Sequence, residues 1–171
     1  ILLPLLYLLI LLNLFNYKKK IKFKKIKTIC IGNIYLGGTG KTPISIEICK
    51  ILKKINLKTS IIKKYYKDQL DEQILLSNEG RLFCEKSRTN ALNKAINECF
   101  DVAIFDDGLQ DKKINYDISF VCFNIESWIG NGFTLPAGPL RESLNNLKKY
   151  DCAFLNGNGE ATNHIKNTLK N

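Results

Sequence analysis

Apolar residues occur along the chain in short uninterrupted runs that alternate with helical spacings. The runs predict β-strands, and apolar residues at intervals of three and four predict amphipathic helices. The predicted strands are residues 28–31, 59–62, 102–105, 118–123 and 152–155. The predicted helices are residues 41–55, 71–79, 91–100 and 141–149. This alternation is typical of an open, mostly parallel α/β sheet with helices on both faces.

The first 15 residues are almost wholly apolar and precede a lysine-rich segment. Residues 1–27 carry seven lysines and no acid, and so hold seven of the ten net positive charges. Because a bilayer span needs about 20 apolar residues, 15 fall short of one. We expect residues 1–27 to comprise a membrane anchor or interfacial helix and then a lysine-rich juxtamembrane segment on the anionic, cytoplasmic side, followed by one P-loop domain over 28–171. The alternative is a buried core helix with a solvated lysine tail.

The charge and cysteine content of the chain exclude some classes of function. Beyond residue 27 the chain is only mildly basic, which argues against a nucleic-acid-binding face. The six cysteines have no C-x-x-C spacing, so we expect reduced core residues and not a disulfide or metal framework. Because the sequence contains no methionine, we expect it to be a fragment or to be trimmed at its start.

A strand, a glycine-rich loop and a helix start come together in the stretch TICIGNIYLGGTGKT, residues 28–42. Glycines let backbone N–H groups face a phosphate, and the helix adds its positive N-terminal end. In a phosphate-binding loop, Lys41 reaches the β- and γ-phosphates and Thr42 holds Mg²⁺. The pattern asks for glycine where Tyr35 stands, and the alternative is a glycine-rich turn that binds nothing. The predicted nucleotide-binding residues are Gly37, Gly38, Thr39, Gly40, Lys41 and Thr42.

Acidic residues follow two of the predicted strands, at the edge where a parallel sheet places its active crevice. Asp106 and Asp107 end a buried apolar run, the position of the magnesium-associated carboxylate in phosphoryl-transfer enzymes. Asp71 and Glu72 follow the second strand and its loop, where they can reach the same edge or simply cap a helix. Arg141, after two rigid Gly/Pro turns, can pair with a phosphate or form a surface ion pair.

Together these motifs resemble the tetraacyldisaccharide 4′-kinases, membrane-associated enzymes that phosphorylate the lipid A precursor. The resemblance covers essentially the whole chain and rests on four stretches: GNIYLGGTGKTP, LDEQILL, DDGLQ and GNGFTLPAGPLRE. The family also has an N-terminal hydrophobic helix followed by basic residues. Its phosphate loop lacks the first glycine, which agrees with Tyr35, although a small residue is usual there.

The resemblance implies a P-loop NTPase-like fold, with ATP and Mg²⁺ as cofactors. It implies transfer of the ATP γ-phosphate to the 4′-hydroxyl of a tetraacyldisaccharide 1-phosphate, at the cytoplasmic face of the inner membrane. Asp71 matches the candidate base that takes the proton from the sugar hydroxyl. The implied catalytic residues are Lys41, Asp71, Asp106 and Asp107, and the implied Mg²⁺ ligands are Thr42, Glu72 and Asp106.

The chain also departs from the family. The usual Ser-Arg-Gly-Tyr-Gly after the second strand is replaced by KKYYK (63–67), and Asp111 stands where histidine is usual. A further histidine that assists the base belongs to a C-terminal domain, and the chain ends near the point where that domain would begin. We therefore expect an incomplete sequence or a truncated, inactive copy.

Two other hypotheses remain open. A membrane-surface ATPase of the partitioning type uses a similar loop, but the signature lysine before its two glycines is Leu36 here. A non-catalytic nucleotide-binding remnant would bind ATP without transferring phosphate. A GTPase is disfavoured because the chain has no Asn-Lys-x-Asp motif.

Overall fold

A six-stranded parallel sheet forms the centre of the protein. The structure is a computed structural model that describes residues 20–158 and 163–170. All neighbouring strands are parallel, and their order across the sheet is 3-2-4-1-5-6. The strands are β1 (Lys27–Gly32), β2 (Thr59–Lys64), β3 (Arg81–Glu85), β4 (Val102–Asp106), β5 (Ile118–Asn124) and β6 (Cys152–Asn156). The predicted parallel sheet is therefore confirmed.

Helices cover both faces of this sheet, as predicted. They are α1 (Lys41–Lys54), α2 (Leu70–Glu79), α3 (Arg88–Asn97) and α4 (Asn163–Lys170), with 3₁₀ turns at Lys67–Gln69 and Leu144–Lys149. On one face, Cys49 of α1 and Leu76 of α2 pack in one cluster with Ile104 of β4. On the other face, Leu92 of α3 packs in a second cluster with Phe105 of β4.

Strand β4 shows why its sequence is a continuous apolar run. All five of its residues are buried, and Ile104 and Phe105 belong to the clusters on opposite faces. A strand covered on both sides has no solvent-facing position to fill with a polar residue. Full burial of Phe105 contributes about 2–3 kcal/mol. The run ends at Asp106, so β4 delivers a carboxylate to the edge of the sheet.

The cysteines form no disulfides. All six are free thiols, and Cys30, Cys49 and Cys122 are buried. Burial raises the pKa of Cys122 to about 12, so its thiol stays protonated at neutral pH. Cys99 and Cys152 are exposed, so not every cysteine belongs to the core.

Several element boundaries differ from the predictions. Strand β2 continues through Lys63 and Lys64, which were predicted to open a loop, and strand β3 was not predicted at all. The predicted helix over 141–149 is wrong, because Ser143 is extended at φ −64° and ψ 145° and only a 3₁₀ turn follows it. Helix α4 was also not predicted, since its residues lie in a polar tail.

The predicted membrane helix falls in residues 1–19, which lie outside the described residues. Across 20–158 and 163–170, no helix has the length and apolar character needed to cross a bilayer. The end of the lysine-rich segment packs on the domain: Ile21 accepts a backbone hydrogen bond from Asn115, and Ile26 is buried. Lys20, Lys22, Lys24, Lys25 and Lys27 remain exposed.

Candidate active site

The phosphate loop joins β1 to α1 and depends on two glycines with positive φ. Gly37 has φ +133° and Gly40 has φ +79°, in the region that side chains rarely adopt. A Cβ at Gly40 would lie 2.7 Å from Nδ2 of Asn156, at the end of β6. Lys41 then begins α1, whose start receives no side-chain cap. The hydroxyl of Thr39 is buried and has no partner among the described residues.

Tyr35 has a structural role that explains why the loop tolerates it. Its backbone forms an antiparallel bridge with Leu140, and the next N–H, of Leu36, donates to the carbonyl of Pro139 at 2.9 Å. Its ring lies 3.5–3.6 Å from the positions that Cβ atoms would take at Gly37 and Gly130. Tyr35 therefore connects the phosphate loop to the Gly/Pro-rich segment 130–140, and its φ is not one that requires glycine.

Asp106 is the centre of a buried polar cluster at the end of β4. Ser45 of α1 donates its hydroxyl to Oδ1 at 3.0 Å, and Thr42 approaches Oδ2 at 3.5 Å. The Lys63 ammonium lies 2.6 Å from Asp106 Oδ2 and 2.6 Å from Glu72 Oε2. Strand register causes this contact, because Lys63 of β2 is the direct partner of Asp106.

The cluster holds Lys63 in its charged form. Burial alone lowers the pKa of a lysine, because it penalises the ammonium. Here the charge of Asp106 and hydrogen bonds to Asp106 and Glu72 outweigh burial, and the pKa of Lys63 is raised. The side chain of Asp106 is fully buried and that of Lys63 is 3% exposed. The attraction between the two charges is therefore the main contribution that offsets the free-energy cost of removing them from water.

Asp107 forms a second polar cluster that faces the phosphate loop. Its φ is +57°, an uncommon conformation that is costly for most residues and tolerated by Asp and Asn. Arg141 Nη1 donates to both carboxylate oxygens, at 2.9 and 3.1 Å, and Lys41 Nζ lies 4.0 Å from Oδ1. Arg88 donates to the backbone carbonyl of Asp107. Arg141 is therefore a site residue, and a bend takes the place of the predicted helix at this position.

The structure brings together most of the residues predicted for the site. Glu72 and Asp106 both contact Lys63, Thr42 approaches Asp106, and Lys41 lies beside Asp107. Asp71 is set apart. It is exposed in the first turn of α2, and the described residues offer it no hydrogen bond or ion pair with the rest of the candidate site.

Sequence reasoning missed the part that Lys63 and Arg88 play. Lys63 was predicted to lie in a loop, where a lysine is unremarkable. A signal was present, because the lysine directly extends an apolar strand whose sheet neighbour ends in acids. No comparable pattern marks Arg88, which reaches Asp107 from the start of α3.

Two cavities flank these clusters. One, of about 470 Å³, lies between the ends of β2 and β3 and the segment after β4, and it is strongly basic. Its charged lining comprises one acid and five cations: Asp111, Lys64, Lys86, Arg88, Lys112 and Lys113. The other, of about 280 Å³, lies beside Gly40 and is lined by Pro43, Ile44 and the residues 154–156 of β6.

Comparison with known proteins identifies the family. The sequence profile described as "LpxK: Tetraacyldisaccharide-1-P 4′-kinase" matches residues 2–171. The chain belongs to this family. A tetraacyldisaccharide 4′-kinase of Pelagibacter ubique is 56% identical over 170 residues, which cover 99% of this chain and 54% of that protein. One from Ruthia magnifica is 36% identical, over 91% of this chain and 56% of that protein. The chain thus spans about half the length of these relatives.

Solved structures support the fold. The "apo" form of LpxK from Aquifex aeolicus, in complex with ATP, superposes with a TM-score of 0.76 at 24% identity, over 90% of this chain and 57% of that one. The signal recognition particle 54 kDa protein of Aeropyrum pernix, in complex with GDP, superposes with a TM-score of 0.58 at 12% identity, over 93% and 42%. At these identities the likeness establishes a shared fold.

Proposed function

We propose that this chain carries the nucleotide-binding and phosphoryl-transfer site of an ATP-dependent kinase of the tetraacyldisaccharide 1-phosphate 4′-hydroxyl. One observation carries the proposal. Lys41 and Thr42 begin a helix directly after a positive-φ glycine, and they lie beside Asp107 and Asp106 at the carboxyl edge of the sheet. This is the arrangement in which phosphate-loop enzymes hold a nucleotide.

The phosphate loop suits an anionic ligand. The uncapped start of α1 provides N–H donors and a positive dipole end, and the partnerless Thr39 hydroxyl adds an unused hydrogen-bonding group. Lys41 and Arg141 place two cations at the mouth of the loop. The cavity beside Gly40 is less polar and can accommodate the nucleoside part of ATP.

The residues present also fit a magnesium ion. Thr42 Oγ1 and the carboxylate of Asp106 are hard oxygen donors at the start of α1 and the end of β4, and Glu72 supplies a further carboxylate. When bound, the ion neutralises charge that develops on the transferred phosphoryl group. Thr42, Glu72 and Asp106 would hold it.

Asp71 is the proposed general base. Among residues 20–158 and 163–170 no cation or donor engages its carboxylate, which leaves the oxygens free to accept the proton of a sugar hydroxyl, and its neighbour Glu72 reaches the Asp106 cluster. An exposed base suits an acceptor that approaches from outside the domain. Lys41 and Arg141 would neutralise the phosphates while Asp71 accepts the proton of the 4′-hydroxyl.

We propose that the reaction takes place at the cytoplasmic surface of the inner membrane. The exposed lysines of residues 20–27 would contribute roughly 1 kcal/mol each near anionic lipid. The basic cavity lined by Lys86, Arg88 and Lys113 offers a further surface for an anionic substrate. Sedimentation with vesicles tests this: binding to anionic vesicles that weakens with added salt supports it, and equal binding to zwitterionic vesicles contradicts it.

Transfer of labelled γ-phosphate from ATP to the tetraacyldisaccharide 1-phosphate in detergent tests the proposed function. We expect labelled lipid with the unaltered chain and with Lys50→Ala, an exposed lysine of α1 paired with Glu79. Lys41→Ala and Asp71→Ala should abolish the product. ATP binding without any labelled lipid would contradict the proposal and favour the nucleotide-binding remnant.

A further inference from the structure

Lys63 stands between the two carboxylates nearest the phosphate-loop threonine. Its ammonium is 2.6 Å from Asp106 and 2.6 Å from Glu72, in a cluster that α1, α2, β2 and β4 assemble. The side chain of Glu72 is 49% exposed, so the cluster opens to solvent on that side. The contact is thus buried at Asp106 and accessible at Glu72.

The oxygens that surround Lys63 are also those that a divalent cation prefers. Carboxylate and hydroxyl oxygens are the ligands of Mg²⁺ and Mn²⁺ in proteins. Asp106 Oδ2 already accepts from Lys63 and approaches Thr42, so its lone pairs face the ammonium and the threonine hydroxyl. A metal ion and the ammonium therefore need the same oxygens.

Electrostatic repulsion prevents the Lys63 ammonium and a divalent cation from occupying the cluster together. The carboxylates of Asp106 and Glu72 carry two negative charges, and one ammonium leaves a net charge of −1. A divalent ion alongside the ammonium would place like charges a few ångströms apart in a poorly hydrated cluster, where repulsion is strong. The four-carbon stem of lysine allows its ammonium to move away while the strand stays in place.

We propose that the Lys63 ammonium competes with a divalent cation for the carboxylates of Asp106 and Glu72. Lys63 is a tethered counter-ion that neutralises one of the two negative charges until metal arrives, and it sets the metal concentration that the site needs. The inference rests on the proposed function for the source of the metal, which is the metal–nucleotide complex. The competition itself depends only on the side chains of Lys63, Asp106 and Glu72.

Titration with Mn²⁺ in the absence of nucleotide tests the competition directly. The readout is the electron paramagnetic resonance signal of free Mn²⁺ at low ionic strength. Lys63→Met keeps an unbranched stem like that of lysine and removes the ammonium, and it should bind Mn²⁺ at least tenfold more tightly than the unaltered chain. Lys64→Met is the matched control. Lys64 is the next residue of β2 and lies over the ring of Tyr66, so its removal should change the affinity by less than about twofold. Equal Mn²⁺ affinity in Lys63→Met and the unaltered chain would overturn the proposal.

The unaltered chain provides a second test that requires no folded variant. With ¹⁵N-labelled lysine, the Lys63 ammonium resonance should shift and exchange faster with water when saturating Mg²⁺ is added. A resonance that Mg²⁺ leaves in place would overturn the proposal. Neither test contains nucleotide, so a failure to bind or turn over ATP counts against the proposed function alone.

Discussion

The buried pair of Lys63 and Asp106 supports a quantitative prediction about stability. Asp106 is fully buried, Lys63 is 3% exposed, and their charged atoms are 2.6 Å apart. Removing one member of such a pair leaves an uncompensated buried charge, which costs about 3–5 kcal/mol. We expect Asp106→Asn to lower the free energy of unfolding by about 3 kcal/mol, because Lys63 keeps its ion pair with Glu72. We expect Lys63→Met to lower the free energy of unfolding by about 5 kcal/mol, because Asp106 then keeps only its contacts with the hydroxyls of Ser45 and Thr42.

A double-mutant cycle measures the coupling between the two side chains. The double variant leaves no fully buried lone charge, since the remaining carboxylate of Glu72 is half exposed, so its loss should be smaller than the sum of the single losses by at least about 2 kcal/mol. The assay is urea denaturation at pH 7 in metal-free buffer. Arg81 and Glu98 are the control pair, since they form an exposed two-point contact that should show a coupling below about 1 kcal/mol. Additive losses at Lys63 and Asp106 would refute the reasoning.

Three further predictions follow from particular backbone and hydrogen-bond geometries. Gly40→Ala should weaken ATP binding at least tenfold in calorimetry, because φ +79° strains alanine and its Cβ would meet Asn156; unchanged affinity would contradict the geometry. Asp107→Ala should lose about 1 kcal/mol more thermal stability than Asp107→Asn, because asparagine tolerates φ +57°; equal losses would contradict this. Burial alone would raise the pKa of Asp117. Hydrogen bonds from Thr28 outweigh that effect, and the net pKa lies below the usual 3.8. The stability advantage over Asp117→Asn should therefore be complete above about pH 4 and disappear as the pH falls below it, in urea denaturation; an advantage that is independent of pH would contradict the assignment.

The sheet could be predicted because its central strands are buried on both faces. β4 has no solvent-facing position, so its sequence is one apolar run with a clear end at Asp106. β3 lies at the edge of the sheet and Phe83 alone among its five residues is buried, so the strand shows no comparable run. β3 forms through its pairing with β2, which a single sequence does not display. The other edge strand, β6, was predicted because residues 152–155 form a short apolar run.

The parts of the candidate site that could be predicted are those marked by short patterns within the sequence. Glycines before Lys41 and acids after β4 are local patterns. The contact of Lys63 with Asp106 depends on strand register, 43 residues apart in the chain. Arg141 was expected in a helix because several of its neighbours are helix formers, yet its N–H donates to the carbonyl of Ile34 and its side chain contacts Asp107. Tertiary contacts overrode local propensity there.

Isothermal titration with ATP and Mg²⁺ tests whether Lys41 holds the phosphates of a bound nucleotide. The chain is compared with Lys41→Met and with Lys50→Met, which removes an exposed lysine from the same helix. We predict that the unaltered chain and Lys50→Met bind ATP with similar affinity, and that Lys41→Met loses at least a hundredfold. Undiminished binding by Lys41→Met would contradict the account.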